Sequence, residues 1–155
     1  MKKFLAVTLS IAMVLGSLTA CNSGSTTKEE TTTETTVTAP AEDVAMQYIS
    51  VADAATKVGA EGYTFLDVRK AADYTADHIE GAISADMDAV KNGDFAAGVA
   101  TMEPIAASLD GTVIVVCYAG KSYAQAGTNV LSALGYDMTK VYTLEGGFTA
   151  WTEAN

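Results

Sequence analysis

Cations and cysteines are scarce in this chain of 155 residues, and their scarcity narrows the functions open to it. Nine Lys and Arg residues stand against nineteen Asp and Glu residues, for a formal net charge of −10 at pH 7. Such an acidic surface repels nucleic acid and anionic lipid head groups, so nucleic-acid binding is excluded. Small anionic ligands are repelled as well, and a site for them therefore needs a local positive group.

The first twenty residues are typical of a secretory signal. Two lysines precede the apolar stretch Phe4–Leu18, which is shorter than the roughly 20 residues needed to span a membrane. The tetrad Leu18-Thr19-Ala20-Cys21 resembles the bacterial lipobox, which implies that Cys21 is lipidated and becomes the mature N-terminus. The alternative is an ordinary cleaved signal that leaves Cys21 as a free thiol. We therefore predict a lipoprotein signal peptide over residues 1–20.

A polar segment, residues 21–43, follows the signal. It is rich in Thr, Ser and Glu and has almost no apolar side chains, so it cannot offset the entropy of ordering and is predicted to be a disordered tether. Residues 44–155 have the length of one domain. Several acyl chains on Cys21 would hold that domain at the extracytoplasmic face of a cell membrane.

Cys117 stands at a junction that favours reactivity. It closes the apolar run Val113–Val116 and precedes a short loop, 118–122, and a predicted helix. Such a loop directs backbone N–H groups at one spot and favours a thiolate and any anion attached to it. With Cys21 lipidated, Cys117 is the only free thiol and cannot form an internal disulfide. The alternative is an inert core cysteine, but the end of a strand, where side chains reach solvent, favours a reactive one.

Apolar periodicity alternates strands with helices, which predicts a parallel sheet covered by helices on both faces. The predicted strands are 63–68, 81–84, 112–117 and 141–144, and the predicted helices are 50–57, 71–77, 87–92, 99–109, 122–134 and one that opens at 148–151. Two pairs of side chains have the spacing of a capping box: Ser50 with Asp53 and Ser122 with Gln125. Gly135 is expected to end its helix, and Gly93 and Gly98 are expected to bracket a break.

Three motifs occur in the order and at the separations of a known family. They are Leu66-Asp67-Val68-Arg69 with the following Asp73-Tyr74 and His78–Ile83, then Cys117–Ser122, then Leu144–Phe148 with Trp151. Over residues 46–151 the chain thus resembles the rhodanese domains. The resemblance implies a five-stranded parallel sheet flanked by helices on both faces, and sulfur transfer through a persulfide on Cys117. It also implies a small donor such as thiosulfate or a persulfide, a thiol or cyanide-like acceptor, and no metal or organic cofactor.

The resemblance assigns an active-site loop whose N–H groups stabilise the negative persulfide: Tyr118, Ala119, Gly120, Lys121 and Ser122. Gly120 supplies the freedom for a tight turn. Lys121 either attracts an anionic donor or is a solvated surface lysine. Ser122 either bonds the persulfide or caps the following helix. Tyr118 and Tyr123 either wall the pocket or serve packing.

Other candidate residues are expected to support the site rather than to react. Arg69, the sole arginine, is implied to hold the geometry of the loop through hydrogen bonds, with Asp67 as its partner or as a turn former. His78, the sole histidine, is implied to be structural rather than catalytic. Asp86 and Asp88 form a pair of nearby carboxylates, but no His or Cys joins them, so a metal site is rejected.

Two other functions deserve comparison. The dual-specificity cell-cycle phosphatases share this fold, but their loop is one residue longer and ends in an arginine that clamps phosphate. Here the sixth residue after Cys117 is Tyr123 and no arginine follows, so phosphatase or arsenate reductase activity is not expected. A non-enzymatic interaction or redox-sensing module stays open as the alternative. Nothing in the sequence requires an oligomer, and a monomer is expected.

Overall fold

The computed structural model describes residues 37–155. The predicted signal peptide, the predicted lipidation site Cys21 and most of the predicted tether lie outside the described residues. Within the described part, no helix combines the length and the apolar character that a membrane crossing requires.

Five parallel strands form a single sheet in the order β1-β5-β4-β2-β3, which confirms the predicted fold class. The strands are β1 (Gln47–Ile49), β2 (Tyr63–Asp67), β3 (Ile83–Ser84), β4 (Thr112–Val116) and β5 (Val141–Leu144). β4 lies at the centre of the sheet, so the loop that follows it opens at the middle of the carboxyl edge. Residue-by-residue reading did not find β1, because three residues at a sheet edge are too few for an alternating pattern.

Helices cover both faces of the sheet. They are α1 (Val51–Ala55), α2 (Ala71–Ala76), α3 (Asp88–Lys91), α4 (Phe95–Ala106), α5 (Ser122–Ala133) and α6 (Gly147–Ala154), with a 3-10 turn at Met138–Lys140. Side chains along β4 alternate between the faces, so Val113 and Val115 enter one core and Ile114 and Val116 enter the other. Residues of α4 and α5 complete the first core, and residues of α1 and α6 complete the second.

Two of the predicted helix signals are confirmed. The hydroxyl of Ser50 caps α1 by accepting a bond from the Asp53 N–H at 3.1 Å. Gly135 ends α5 with φ +79, and its N–H bonds the carbonyl of Ser132 at 2.9 Å. Both positions follow from local chemistry alone, since a short polar side chain serves a helix start and a left-handed glycine serves a helix end.

The predicted break at Gly98 is wrong, because Gly98 lies inside α4. A Cβ at this position would stand 2.0 Å from Cγ2 of Val90, so the glycine permits close packing of α3 and α4. α4 instead begins after Asp94, whose side chain accepts a bond from the Ala97 N–H at 3.0 Å.

The second predicted capping box is also wrong. Lys121 is the N-cap of α5, and no side chain bonds the free N–H groups of the first turn. The amide of Gln125 turns away from the helix start and donates to the carbonyl of Val44 at 2.7 Å. Ser122 therefore does not serve as a cap, and the donors at the start of α5 stay available.

Candidate active site

Cys117 lies at the carboxyl end of β4 and is 2% exposed, so the expectation that its side chain reaches solvent is wrong. The strand alternation explains the burial. Cys117 continues the series of Val113 and Val115 and turns into the same core. An inert core cysteine is buried in the same way, so burial does not distinguish a reactive Cys117 from an inert one. The surrounding groups have to decide between the two.

The start of α6 closes against the loop that follows Cys117. The Phe148 N–H donates to the carbonyl of Cys117 at 2.7 Å, and the Thr149 N–H and hydroxyl donate to the carbonyl of Tyr118 at 3.1 Å and 2.8 Å. Gly147 makes this approach possible: with φ +62, its Cβ would stand 2.3 Å from the carbonyl oxygen of Cys117. Hydrogen bonds between segments 31 residues apart in sequence thus hold the loop.

The loop leaves its backbone donors unused. Within residues 37–155, the N–H groups of residues 118–124 donate to no backbone acceptor. Gly120 is buried and adopts φ +67, and a Cβ there would stand 2.8 Å from the carbonyl oxygen of Leu144. A row of free donors that runs into a helix start is suited to an anion, because the N–H groups and the positive end of the helix dipole both favour negative charge.

Tyr118 of the loop and Tyr123 in the first turn of α5 are hydrogen-bonded to carboxylates on neighbouring helices. The Tyr118 hydroxyl donates to Asp73 and accepts a bond from the Lys70 N–H at 3.2 Å. The Tyr123 hydroxyl donates to Oδ1 of Asp88 at 2.5 Å, and the two aromatic rings meet edge to face at 5.0 Å. The tyrosines therefore both wall the loop and pack against each other.

Burial and these hydrogen bonds raise the pKa of both tyrosines. Burial, followed by the hydrogen bond to Asp73, raises the pKa of Tyr118. The hydrogen bond to Asp88, followed by burial, raises the pKa of Tyr123 well above its ordinary value, and the same bond lowers the pKa of Asp88. A raised pKa means that the folded state favours the neutral phenol. The resulting stabilisation is complete below about pH 10, the ordinary tyrosine pKa, and is lost as the pH rises through the folded-state value.

Asp88→Asn is expected to lower the pKa of Tyr123 toward its ordinary value of about 10, because the charged acceptor that favours the phenol is removed. Absorbance of the phenolate, followed against pH in the folded protein, measures the shift. Asp53→Asn is the matched control, since that carboxylate accepts its bond from Ser50 in α1 and touches no tyrosine hydroxyl. Identical titrations of Asp88→Asn and the parent protein would show that Asp88 does not control Tyr123.

Arg69 and Asp67 form a buried pair behind the loop. Arg69 is 4% exposed, and its Nη2 bonds Oδ2 of Asp67 at 2.6 Å and the carbonyl of Asp77 at 2.7 Å. Asp67 also accepts the Arg69 backbone N–H at 3.0 Å, so it is both partner and turn former. The guanidinium carbon lies 3.7 Å from the ring centroid of Phe148. Arg69 thus reaches the loop through Phe148, while its own hydrogen bonds go elsewhere.

The remaining candidates serve the scaffold. His78 is exposed, stacks on Tyr74 at 4.0 Å, and places Nδ1 2.9 Å from the Tyr74 carbonyl. Asp86 accepts the N–H groups of Ala71 at 2.9 Å and Asp88 at 2.8 Å, which anchors the starts of α2 and α3. Among residues 37–155, no cluster of three or more His, Cys, Asp or Glu side chains has the arrangement of a metal site.

Sequence reasoning missed several groups around the loop. Asp73 and Lys70 hold Tyr118, and Thr149 holds the loop carbonyl, yet none belongs to a pattern with a chemical meaning of its own. Gly147 had a usable signal: a glycine pair directly before a helix is typical of a close backbone approach. Lys121 is exposed beside the loop, as either of its predicted roles requires.

Fold and loop together define an α/β domain that carries one free cysteine at the centre of the carboxyl edge of a parallel sheet. The chain belongs to the rhodanese family, because the model of the Rhodanese-like domain matches residues 50–154. The thiosulfate sulfurtransferase GlpE of Pseudoalteromonas translucida is 32% identical over 111 residues, which cover 72% of this chain and 93% of that protein. GlpE of Pseudomonas putida is 35% identical over 91 residues, covering 59% and 71%.

Solved structures show the same fold. A Bacillus halodurans protein superimposes with a TM-score of 0.55 at 25% identity, over 70% of this chain and 73% of that one. The human single-domain sulfurtransferase TSTD1 superimposes with a TM-score of 0.52 at 19% identity, over 72% of this chain and 99% of that one. At this identity the second likeness concerns the fold alone.

Proposed function

We propose that this protein transfers sulfane sulfur from a donor such as thiosulfate or a persulfide to a nucleophilic acceptor, through a persulfide on Cys117. The observation that carries the proposal is the row of free N–H groups, residues 118–124, directly after the cysteine. Relatives that bear the name thiosulfate sulfurtransferase support the same chemistry. The membership in the rhodanese family supports sulfur transfer in general.

The chemistry needs two displacements at sulfur. The Cys117 thiolate attacks the outer sulfur of thiosulfate, the S–S bond of the donor breaks, and sulfite leaves with the electron pair. A thiolate or cyanide ion then attacks the outer sulfur of the persulfide, and the electron pair of that S–S bond returns to Sγ of Cys117. This is covalent catalysis that splits one transfer into two steps, and neither step calls for a metal or an organic cofactor.

The loop supplies the electrostatics of both steps. The persulfide is an anion in an acidic protein, so donors already oriented by the fold stabilise it without reorganisation. The start of α5 adds the positive end of a helix dipole, and Lys121 adds the one cation within the loop itself. Thiosulfate carries two negative charges, which makes Lys121 the residue best placed to counter the long-range repulsion.

A non-enzymatic interaction or redox-sensing module is the second candidate, and the burial of Cys117 favours it. A cysteine at 2% exposure packs as a core residue does. The first N–H groups of any helix are free, but here the free row also includes the loop residues 118–121 directly after Cys117, where an anionic persulfide would use them. The free donors therefore favour the enzyme over the module.

Exposure of the reduced protein to thiosulfate or polysulfide is expected to add the mass of one sulfur atom at Cys117. Cyanide should remove it, because cyanide attacks sulfane sulfur. Peptide mapping after digestion locates the adduct, and Cys117→Ser, which should gain no sulfur, is the control. If no donor yields a cyanide-labile adduct on Cys117, the enzyme proposal fails and the non-enzymatic module takes its place.

We also propose that the domain works as a monomer outside the cytoplasm, tethered to a cell membrane through a lipid on Cys21. The support is the lipobox-like tetrad Leu18-Thr19-Ala20-Cys21 at the end of the apolar stretch. The same digest tests it in protein purified from membranes of a bacterial host. Acyl chains on the Cys21 peptide are expected. An unmodified Cys21, or a protein that still begins at Met1, would contradict the lipid anchor.

A further inference from the structure

A groove with a volume of about 470 Å³ lies beside the active-site loop. Lys121 and Ser122 belong to both the loop and the groove wall, so a ligand in the groove borders the site directly. The lining also includes Lys91 at the end of α3, and Met46 and Tyr48 of the N-terminal segment. The groove therefore combines two cations with an apolar side.

Within the described part of the chain the two lysines form no ion pair, although the sequence has a large excess of acidic residues. The ion pairs among residues 37–155 join Arg69 to Asp67, Lys70 to Asp88, and Lys140 to Asp137. Neither Lys91 nor Lys121 takes part in one of them. Asp43 also lines the groove, but its Oδ1 is held by the amide of Asn129 at 2.8 Å. Two ammonium groups that line the same groove favour an anionic ligand.

The groove is held in shape by hydrogen bonds between its walls. Asn129 accepts the Val44 N–H at 3.0 Å, and Gln125 donates to the Val44 carbonyl at 2.7 Å, so the N-terminal segment is fixed to α5. Tyr48, on the edge strand β1, is 51% exposed and offers its ring to a ligand. A site that exists before the ligand arrives loses little entropy on binding.

We propose that this groove binds the acceptor of the sulfur, a small thiol that carries two or more anionic groups. The inference rests on the proposed function and specifies its second step. The volume favours the acceptor over the donor, because about 300–1,000 Å³ is the size of sites for molecules much larger than thiosulfate. Carboxylates or a phosphate of the thiol pair with Lys91 and Lys121, its apolar part lies on Tyr48, and its sulfur faces the loop.

The transfer balances without an external oxidant or reductant. The acceptor thiol loses its proton to solvent, and its sulfur attacks the outer sulfur of the Cys117 persulfide. One S–S bond forms to the acceptor while the bond to Sγ breaks and returns its electron pair to Cys117. The products are the acceptor persulfide and the free thiolate.

Lys91→Ala tests the groove without touching the loop. Glutathione, an anionic thiol, and cyanide, which needs no groove, are compared as acceptors after loading with thiosulfate. The ratio of kcat/KM for glutathione to that for cyanide is expected to fall by about fivefold. This is the effect of losing one partly exposed ion pair, here between Lys91 and an anionic group of glutathione. Lys91→Arg should restore most of the loss. Lys57→Ala removes the same charge beside Tyr63 and is the matched control.

A ratio that is the same in Lys91→Ala and in Lys57→Ala would overturn the groove as the acceptor site. Binding of S-methylglutathione, which cannot react, is measured by calorimetry on the same variants and gives a readout that needs no turnover. Weaker binding in Lys91→Ala and in Tyr48→Ala supports the groove even where Cys117 forms no persulfide. Equal binding by the parent protein and both variants would refute it. Failure of the groove and failure of the proposed function are thereby distinguished.

Discussion

Cys117→Ser is expected to lower sulfur transfer to any acceptor by a factor of at least about a thousand, because the covalent carrier is lost. A serine hydroxyl is not ionised near neutral pH and forms no stable bond to sulfane sulfur. The free N–H groups of the loop remain, but they have no persulfide to stabilise. Turnover of thiosulfate with cyanide, measured at equal protein concentration, gives the size of the loss.

The fold of Cys117→Ser is expected to survive. Serine has nearly the shape of cysteine, and its hydroxyl finds unused donors in the loop, so the cost of burying it stays within about 1–3 kcal/mol. Thermal unfolding followed by circular dichroism checks this. A folded variant that retains a tenth or more of the parent activity would mean that Cys117 does not carry the sulfur.

Most of the sheet was predictable, including the edge strand β3, whereas the other edge strand, β1, was not found residue by residue. The apolar run Val113–Val116 follows a turn and consists of β-branched residues, which favours a buried strand. The capping and glycine signals at Ser50 and Gly135 rest on backbone chemistry that tertiary contacts rarely override. β1 escaped because its three residues depend on pairing with β5 for their conformation. The prediction at Gly98 was wrong for a related reason. A glycine is needed there because the side chain of Val90, on another helix, leaves no room for a Cβ.

In the candidate site, too, the features that are local in sequence could be predicted and the contacts between distant segments could not. The cysteine and its loop are contiguous in sequence, so their order of strand, thiol, turn and helix could be predicted. The burial of Cys117 depends on the core that receives its side chain, and the bonds of Tyr118 to Asp73 and of Arg69 to Phe148 join distant segments. Ser122 shows the limit of a local signal, since the spacing of a capping box occurs where no cap forms.

Gly147→Ala is expected to destabilise the domain by about 3 kcal/mol or more, which exceeds the cost of a left-handed alanine alone. That conformational cost is about 1–2 kcal/mol, and overpacking adds a further ~1–3 kcal/mol. The added Cβ would stand 2.3 Å from the carbonyl oxygen of Cys117 and 2.7 Å from the nitrogens of Ala119 and Gly120. These neighbours are backbone atoms, which cannot change rotamer as a side chain can. Either α6 or the loop must therefore shift to relieve the clash.

Gly135→Ala separates the two contributions to this loss. Gly135 has a similar positive φ of +79, but nothing lies within 4 Å of its Cβ position, so only the conformational cost applies. Chemical denaturation of both variants gives the difference in unfolding free energy. Since a displacement of about 1 Å at a reacting group can cost a hundredfold, sulfur transfer by the folded fraction of Gly147→Ala is expected to fall by about that factor, while Gly135→Ala stays near the parent. Equal losses in the two variants would show that the start of α6 does not position the cysteine loop, and the free N–H groups would then owe their arrangement to β4 and α5 alone.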